Sequence, residues 1–305
     1  MTVRNKVVVF GSLNMDLVVR LPRMPQPGET LSAQGYLCNP GGKGANQAVA
    51  CARQGGRAVM VGRVGDDGFG AQLRTALVAQ GVNAAGVAAT PGVSSGVAMI
   101  MVDDAAQNCI AVVPGANASV GIEDAEALRE WLVDAGLLLL QLEVPMASVL
   151  KAAAIAKETG CTVLLNPAPA QALPDALWPL LDTLVLNETE AQLLSGLSVV
   201  DVHHAMDAAA LLLRRGPRDV IVTLGARGVV WASAMGIRHF EAPKVQAVDT
   251  TAAGDTFIGA LGALLVEGRS MEEALAHAIR ASAICVTRAG AQASMPSREE
   301  VERLA

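Results

Sequence analysis

The residues best suited to chemistry are grouped near the end of the chain. Residues 249–257 read Asp-Thr-Thr-Ala-Ala-Gly-Asp-Thr-Phe. Small residues open a helix there, and an acid stands in its first turn. The first N–H groups of a helix lack intrahelical partners. Those of Ala252, Ala253 and Gly254 would therefore converge on one spot, with the positive end of the helix dipole behind them. Such a site suits an anion, such as a phosphoryl group in flight. Asp255 stands beside it and can accept a proton from an attacking hydroxyl. The alternative is that Asp255 or Thr251 only caps the helix. Two acids six residues apart around an Ala-Ala-Gly core count against that.

A second group is Pro40-Gly41-Gly42-Lys43-Gly44-Ala45-Asn46-Gln47. Three glycines in four positions let backbone approach a ligand at the start of a helix. The alternative is a Gly-rich turn feeding an ordinary helix. The segment is not a Walker A loop, because Gly44 rather than Ser or Thr follows Lys43, and Leu37 stands where the first Gly would be. It is not GxGxxG either, and the first strand runs into Gly-Ser-Leu-Asn-Met-Asp instead. There Asn14 and Asp16 could grip vicinal hydroxyls, Asp accepting hydrogen bonds and Asn bridging. They could equally stabilise a turn through Asx bonds. Asn187-Glu188-Thr189-Glu190 could hold hydrated Mg²⁺ or phosphates, or could be an N-cap followed by first-turn acids. His203, His204, His239 and His277 have no ligand-like spacing.

The 305 residues that position these groups are 52% hydrophobic and 17% charged, ample for a core and too apolar for disorder. The net charge of −6 offers no attraction to nucleic acid or to acidic membranes, so neither is an expected partner. No run of ~20 apolar residues reads as a membrane-spanning helix. The segment 81–102 is uncharged but broken by Pro91 and several glycines. The N-terminal stretch reads as a first strand rather than a signal peptide. Five widely spaced cysteines (38, 51, 109, 161 and 285) fit reduced thiols in the cytoplasm better than disulfides or zinc.

Short apolar runs alternate with helical patterns. Strands are expected at Lys6–Phe10, Arg57–Gly62, Gly136–Gln141, Cys161–Leu165, Thr183–Leu186 and Asp219–Thr223. Helices are expected at about 43–54, 67–80, 122–134, 146–159, 187–195 and 201–215, with a helical tail from Gly254. This alternation predicts a parallel sheet covered on both faces. Residues 17–37 and 96–113 alternate differently and predict a few antiparallel strands projecting from the body. Amides and carboxylates follow the strand ends at Asn14, Asp16, Glu143, Asn166 and Asn187. Ligands of open α/β sheets bind beyond those ends, so a hydroxyl-rich small molecule is expected.

Ten segments in register resemble the ribokinase-like carbohydrate kinase family. They are GSLNMD at 11–16, PGET at 27–30, GGKGANQA at 41–48, GDD at 65–67, QLE at 141–143, NPAPA at 166–170, NETEA at 187–191, TLGARG at 223–228, VDTTAAGDTF at 248–257 and VTRAGAQ at 286–292. The resemblance covers essentially the whole chain. It implies one α/β domain over 1–305, a mostly parallel central sheet flanked by helices in three layers. It also implies a discontinuous β-lid at about 15–40 and 95–112 through which two subunits form a homodimer. The implied reaction is transfer of a phosphoryl group from ATP to the 5-hydroxyl of D-ribose, the first step of ribose catabolism.

By the same resemblance, Asp255 matches the general base, and Gly254, Ala253 and Ala252 the anion hole. Asn14, Asp16, Gly42, Lys43, Asn46 and Glu143 match sugar-binding positions. Asn187, Thr223, Gly225 and Gly228 match nucleotide-side positions, with Gly254 shared. Glu190 matches the acid associated with Mg²⁺ and phosphate. Asp249, Thr251, Cys285, Arg288, Gly290 and Ser294 match a ring around K⁺, of which only Asp249 and Ser294 need offer side-chain oxygens. Near the adenine the family often carries Asn or His, where this chain has Ile279, with His277 off-register. The alternatives are a sister kinase for deoxyribose or a nucleoside such as adenosine, and a sugar-binding regulator without catalysis. A nucleoside needs an aromatic or apolar wall, and the lid region offers one aromatic, Tyr36.

Overall fold

In a computed structural model, residues 4–304 are described except 34 and 106. Those two positions fall within the bounds expected for the lid and lie outside the described residues. The chain runs β1 (Lys6–Phe10), β2 (Asn14–Leu21), β3 (Tyr36–Gly41), α1 (Lys43–Arg53), β4 (Arg57–Gly65), α2 (Gly68–Ala79), β5 (Asn83–Thr90), β6 (Gly96–Asp103) and β7 (Asn108–Val113). It continues through α3 (Ile122–Trp131), β8 (Ala135–Leu140), α4 (Met146–Glu158), β9 (Thr162–Leu165), β10 (Thr183–Asn187), α5 (Glu188–Ser195), α6 (Val202–Leu213) and β11 (Asp219–Thr223). β12 (Val229–Ser233), β13 (Gly236–Phe240), α7 (Ala253–Val266), α8 (Met271–Cys285) and α9 (Arg298–Arg303) complete it.

Nine strands form one sheet in the order β13-β12-β11-β10-β9-β8-β1-β4-β5. It is parallel from β11 through β5, and the β12–β13 hairpin extends it antiparallel. The central strands are apolar along their interiors, with polar residues chiefly at their ends, because both faces are covered. Successive side chains point to opposite faces. Val8, Phe10, Leu138 and Leu140 pack with α3, α4 and α6. Val7, Val9, Leu137 and Leu139 pack with α1, α7 and α8. The result is three layers, as expected.

β1 is the switch point of this sheet, because the chain leaves it toward β4 on one side and β8 on the other. Ligand crevices form beyond strand ends at such a point. The segments leaving there are 11–16 after β1 and 141–143 after β8.

A second sheet has the order β3-β2-β6-β7. Its outer pairings, β2–β3 and β6–β7, are antiparallel, but its central β2–β6 pair is parallel. The expectation of antiparallel strands alone is therefore corrected. Alternating polarity reports a half-buried strand and carries no information about the direction of its neighbour. β2 also begins at Asn14, so Asn14 and Asp16 stand on a strand rather than in a turn. β5, β12 and β13 were not expected from the sequence.

Candidate active site

The glycines at 41–44 bring the chain close to itself. A Cβ at Gly42 would lie 2.7 Å from the Asn14 amide nitrogen, and Gly42 also has φ near +90°. A Cβ at Gly44 would meet the backbone of Ser12, and one at Gly41 would meet the Asp16 carboxylate. The start of α1 thus seats against residues 12–16, which places Asn14 and Asp16 over the helix N-terminus. Gly42 has no side chain to cap α1. Glu143, from the end of β8, supplies that function: its Oε2 accepts the Lys43 N–H at 3.0 Å and the Ser12 hydroxyl at 2.5 Å. Asn14 Oδ1 accepts from Asn117 Nδ2 at 2.8 Å. Asn117 also bonds both the N–H and the carbonyl of Leu13. Its amide therefore turns the Asn14 NH₂ toward the crevice.

Asp255 sits in the first turn of α7, 8% exposed. Asn46 Nδ2 donates to Oδ2 at 3.1 Å, and Gln47 Nε2 donates to Oδ1 at 3.0 Å. Both donors come from α1, which packs directly on α7. Burial pushes the Asp255 carboxyl up, aided by Glu143 and opposed by Lys43, Gln47 and Asn46. A raised pKa suits a base working near neutral pH. Asp16 is pushed up to about 7 by burial, then by Glu143 and Asp255. Burial disfavours the charge on Lys43, but Asp255, Glu143 and Glu190 outweigh it and hold its pKa above the ordinary value. Lys43 is thus a firmly charged cation among carboxylates. Asn14, Asp16, Gly42, Lys43, Asn46, Glu143 and Asp255 come together as expected.

Ala252 precedes α7 with φ near +58°, a conformation L-residues seldom adopt. The turn is held by Asp249, whose Oδ1 accepts from the Thr251 N–H and hydroxyl and whose Oδ2 accepts the Gly290 N–H. The N–H groups of Val248 and Asp249 both reach the Val286 carbonyl. Burial raises the Asp249 pKa, but these donors outweigh it and leave it below the ordinary value. The Ala253 N–H is partly engaged, by Thr250 O at 3.3 Å. Gly254 opens on free space, with nothing within 4 Å of where its Cβ would be.

Gly254 and Ala253 line a cavity of about 420 Å³ together with Thr223, Gly225, Gly228 and Ile279. The other polar side chains on its wall are few, and its walls are mostly apolar. His277 is turned away, its Nε2 lying 2.8 Å from Gln54 Oε1. Asn187 and Glu190 do not line this cavity. They form a reciprocal capping box at the start of α5, Asn187 Oδ1 accepting the Glu190 N–H and Glu190 Oε2 accepting the Asn187 N–H. The capping alternative for this pair is therefore realised. Burial pushes the Glu190 pKa up.

Asp249, Thr251, Cys285, Gly290 and Ser294 cluster at the far side of the 249–255 turn. The Cys285 thiol is 3.0 Å from the Ser294 hydroxyl, which also donates to Ala291 O. Arg288 directs its guanidinium to Glu300 at 2.6 Å. Sequence reasoning missed Gln47, Gln141 and Asn117. Gln47 and Gln141 lie within the quoted segments 41–48 and 141–143, but a buried amide leaves no signature in composition or spacing.

Residues 4–298 match the pfkB family carbohydrate kinase description. The ribokinase of Haemophilus influenzae is 40% identical over 97% of this chain and 97% of its own. The deoxyribokinase of Salmonella typhi is 39% identical over 96% of each chain. The structure of Arabidopsis thaliana ribokinase complexed with ribose and ATP superposes with a TM-score of 0.91, at 35% identity over 98% of both chains. With that coverage and those identities, the chain belongs to the pfkB family of carbohydrate kinases.

Proposed function

We propose that the protein phosphorylates D-ribose at its 5-hydroxyl with ATP, giving D-ribose 5-phosphate and ADP. The observation that carries this reading is the buried Asp255 carboxylate, held by two amides beside the N-terminus of α7 and between two recesses. One recess is polar and carries Asn14, Asp16, Lys43, Asn46 and Glu143. The other is the apolar cavity with Ile279 and Gly225 on its wall. The sugar occupies the first and the nucleotide the second. Asp16 and Asn14 take the ring hydroxyls. Asp255 accepts the 5-hydroxyl proton as the new O–P bond forms and the bond to the ADP leaving group breaks. N–H groups at Ala252, Ala253 and Gly254, with the charge of Lys43, offset the negative charge that develops.

Among the described residues, no group of three or more His, Cys, Asp or Glu is placed to hold a metal. Mg²⁺ keeps water and binds largely through substrate phosphates, so Glu190 would reach it through water, and Mg²⁺ supplies charge neutralisation on the triphosphate. The hard oxygen donors around Asp249 carry one formal charge and fit a monovalent cation. Asp249, Ser294 and the carbonyls of Thr251, Cys285, Arg288 and Gly290 would hold K⁺. The Arg288 guanidinium is engaged elsewhere, by Glu300, and the Cys285 thiol lies against the Ser294 hydroxyl.

The four-stranded sheet is the lid, and with the nine-stranded body it makes one kinase unit. Leu37, Ile110 and Val112 are exposed on one face of the lid, with Tyr36 and Met99 on the other; the first face is an apolar surface suited to pairing with a second copy. The described residues contain no helix long and apolar enough to cross a membrane, and the five cysteines are free. Both features fit work in the cytoplasm.

A deoxyribose kinase is the second reading, favoured by the Salmonella typhi relative. Asn14 and Asp16 weigh toward ribose, because 2-deoxyribose leaves one of their bonds unmade. A nucleoside reading lacks its aromatic wall, since Tyr36 is 70% exposed. The test is Asp255→Asn. Ribose binding measured by calorimetry should persist while kcat falls roughly 10²–10⁴-fold. A variant that keeps most of its turnover contradicts the assignment.

A further inference from the structure

We propose that Gln47, locked in one orientation by Gln141, is a positioning residue that aims the Asp255 carboxylate. The inference rests on Asp255 being the base. A carboxylate with one donor can swing about its terminal bond, whereas donors on both oxygens fix its plane. Asn46 and Gln47 are those donors. Asn46 borders the sugar recess, but Gln47 is 0% exposed and so cannot touch substrate. Any effect it has on the reaction passes through another group.

The amide of Gln47 is itself held. Gln141 Nε2 donates to Gln47 Oε1 at 2.6 Å. With its oxygen committed there, Gln47 presents its NH₂ on the opposite side, toward Asp255 Oδ1 and, at 3.3 Å, Asn166 Oδ1. Asn46 is backed in the same manner by Gln292 Nε2 at 3.2 Å. The result is a chain of amides, Gln141–Gln47–Asp255–Asn46–Gln292, with the carboxylate at its centre.

Two features show that this arrangement costs stability. Gln141 is 0% exposed, yet its Oε1 has no partner among the described residues. A buried unpaired oxygen is unfavourable, and an apolar pair of the same shape would avoid it. The chain also leaves room for Gln141: a Cβ at Gly11 would fall 1.9 Å from that oxygen. Local rules broken in this manner point to function. The charged groups facing Asp255 are Lys43 on α1, Glu143 after β8, Asp16 on β2 and Glu190 on α5. None of them is hydrogen-bonded to Gln47.

The test uses Gln47→Met, Gln141→Met and the double variant in the full-length enzyme, with Asp255→Asn as control. Gln47→Met should lower kcat about tenfold or more, leave KM for ribose within about threefold, and move the acid limb of kcat up by about one pH unit. The double variant removes both halves of the amide pair, so it should regain thermal stability without regaining kcat or the position of the limb. It also serves if the single variant fails to fold. Wild-type kcat and an unmoved limb in the double variant overturn the proposal. An inert Asp255→Asn beside wild-type-like Gln variants sinks this inference alone. An active Asp255→Asn sinks the base assignment beneath it.

Discussion

Gly259→Ala isolates the helix contact on which the site depends. Gly259 lies one turn after Asp255 on α7 and faces α1. A Cβ there would be 2.4 Å from Ala50 Cβ, 2.5 Å from Gln47 O and 2.7 Å from Cys51 N. Carbon atoms pack at about 3.5–4.0 Å, and two of the three obstacles are backbone. The helices must therefore separate by roughly 1 Å or more, since no side-chain rotation relieves the clash. Bonds of 3.1 and 3.0 Å from Asn46 and Gln47 to Asp255 would then pass the length at which a hydrogen bond is made. A misplacement of ~1 Å can cost about 10²-fold in rate, and overpacking costs about 1–3 kcal/mol in stability. In an exposed helix the same change stabilises by about 0.5–1 kcal/mol, so the sign itself is diagnostic. The assay is coupled ADP release at saturating ribose and ATP, with thermal unfolding in parallel. A stable Gly259→Ala protein with wild-type kcat would refute the idea that close α1–α7 contact sets the base.

Other outcomes follow from the same geometry. The free enzyme's kcat/KM for ribose should rise with pH through about 7, because protonated Asp16 accepts fewer hydrogen bonds and ionises near there; Asp16→Asn should remove that limb. The same shift means that the ligand-free protein loses stability as pH climbs from the ordinary Asp range toward about 7, since the folded state binds the extra proton; denaturant titrations of wild type and Asp16→Asn should differ in that slope. KCl should raise activity above a bulky organic-cation chloride at equal ionic strength, Na⁺ should do so less well, and Asp249→Ala should abolish the difference; equal rates in the wild type would leave the Asp249 turn held by its hydrogen bonds alone. Gly42→Ala should cost more than about 1 kcal/mol and weaken ribose binding, as φ near +90° and the approach to Asn14 both oppose a side chain; unchanged KM would contradict the packing described.

The parallel core was legible because doubly covered strands must be apolar throughout. The strand expected at Lys6–Phe10 matches β1 to the residue. β2 was harder, since Asn14 and Asp16 are polar residues on a strand that faces a binding crevice. β5 reads Asn-Ala-Ala-Gly-Val-Ala-Ala-Thr, which is mostly alanine and has only Val87 and Thr90 of the β-branched and aromatic residues that mark a strand. Its pairing with β4 makes it one. The glycines at 41–44 were expected to admit a ligand. They also admit residues 12–16, and a sequence cannot say which backbone approaches. Of the site, the charged residues in the motifs could be found in advance. The roles of Asn117, Gln47 and Gln141 could not, even though the last two lie inside quoted motifs, because each acts through a tertiary hydrogen bond more than 90 residues away in the chain.

The central claim is tested most directly by ADP release over a panel of D-ribose, 2-deoxyribose, other pentoses, hexoses and nucleosides, with the position of the product phosphate read by NMR. The account predicts the highest kcat/KM for D-ribose, phosphate on its 5-oxygen, and a deficit for 2-deoxyribose of about 5- to 150-fold from one unpaired polar group. A nucleoside or hexose turned over faster than ribose, or phosphate on another oxygen, would contradict it.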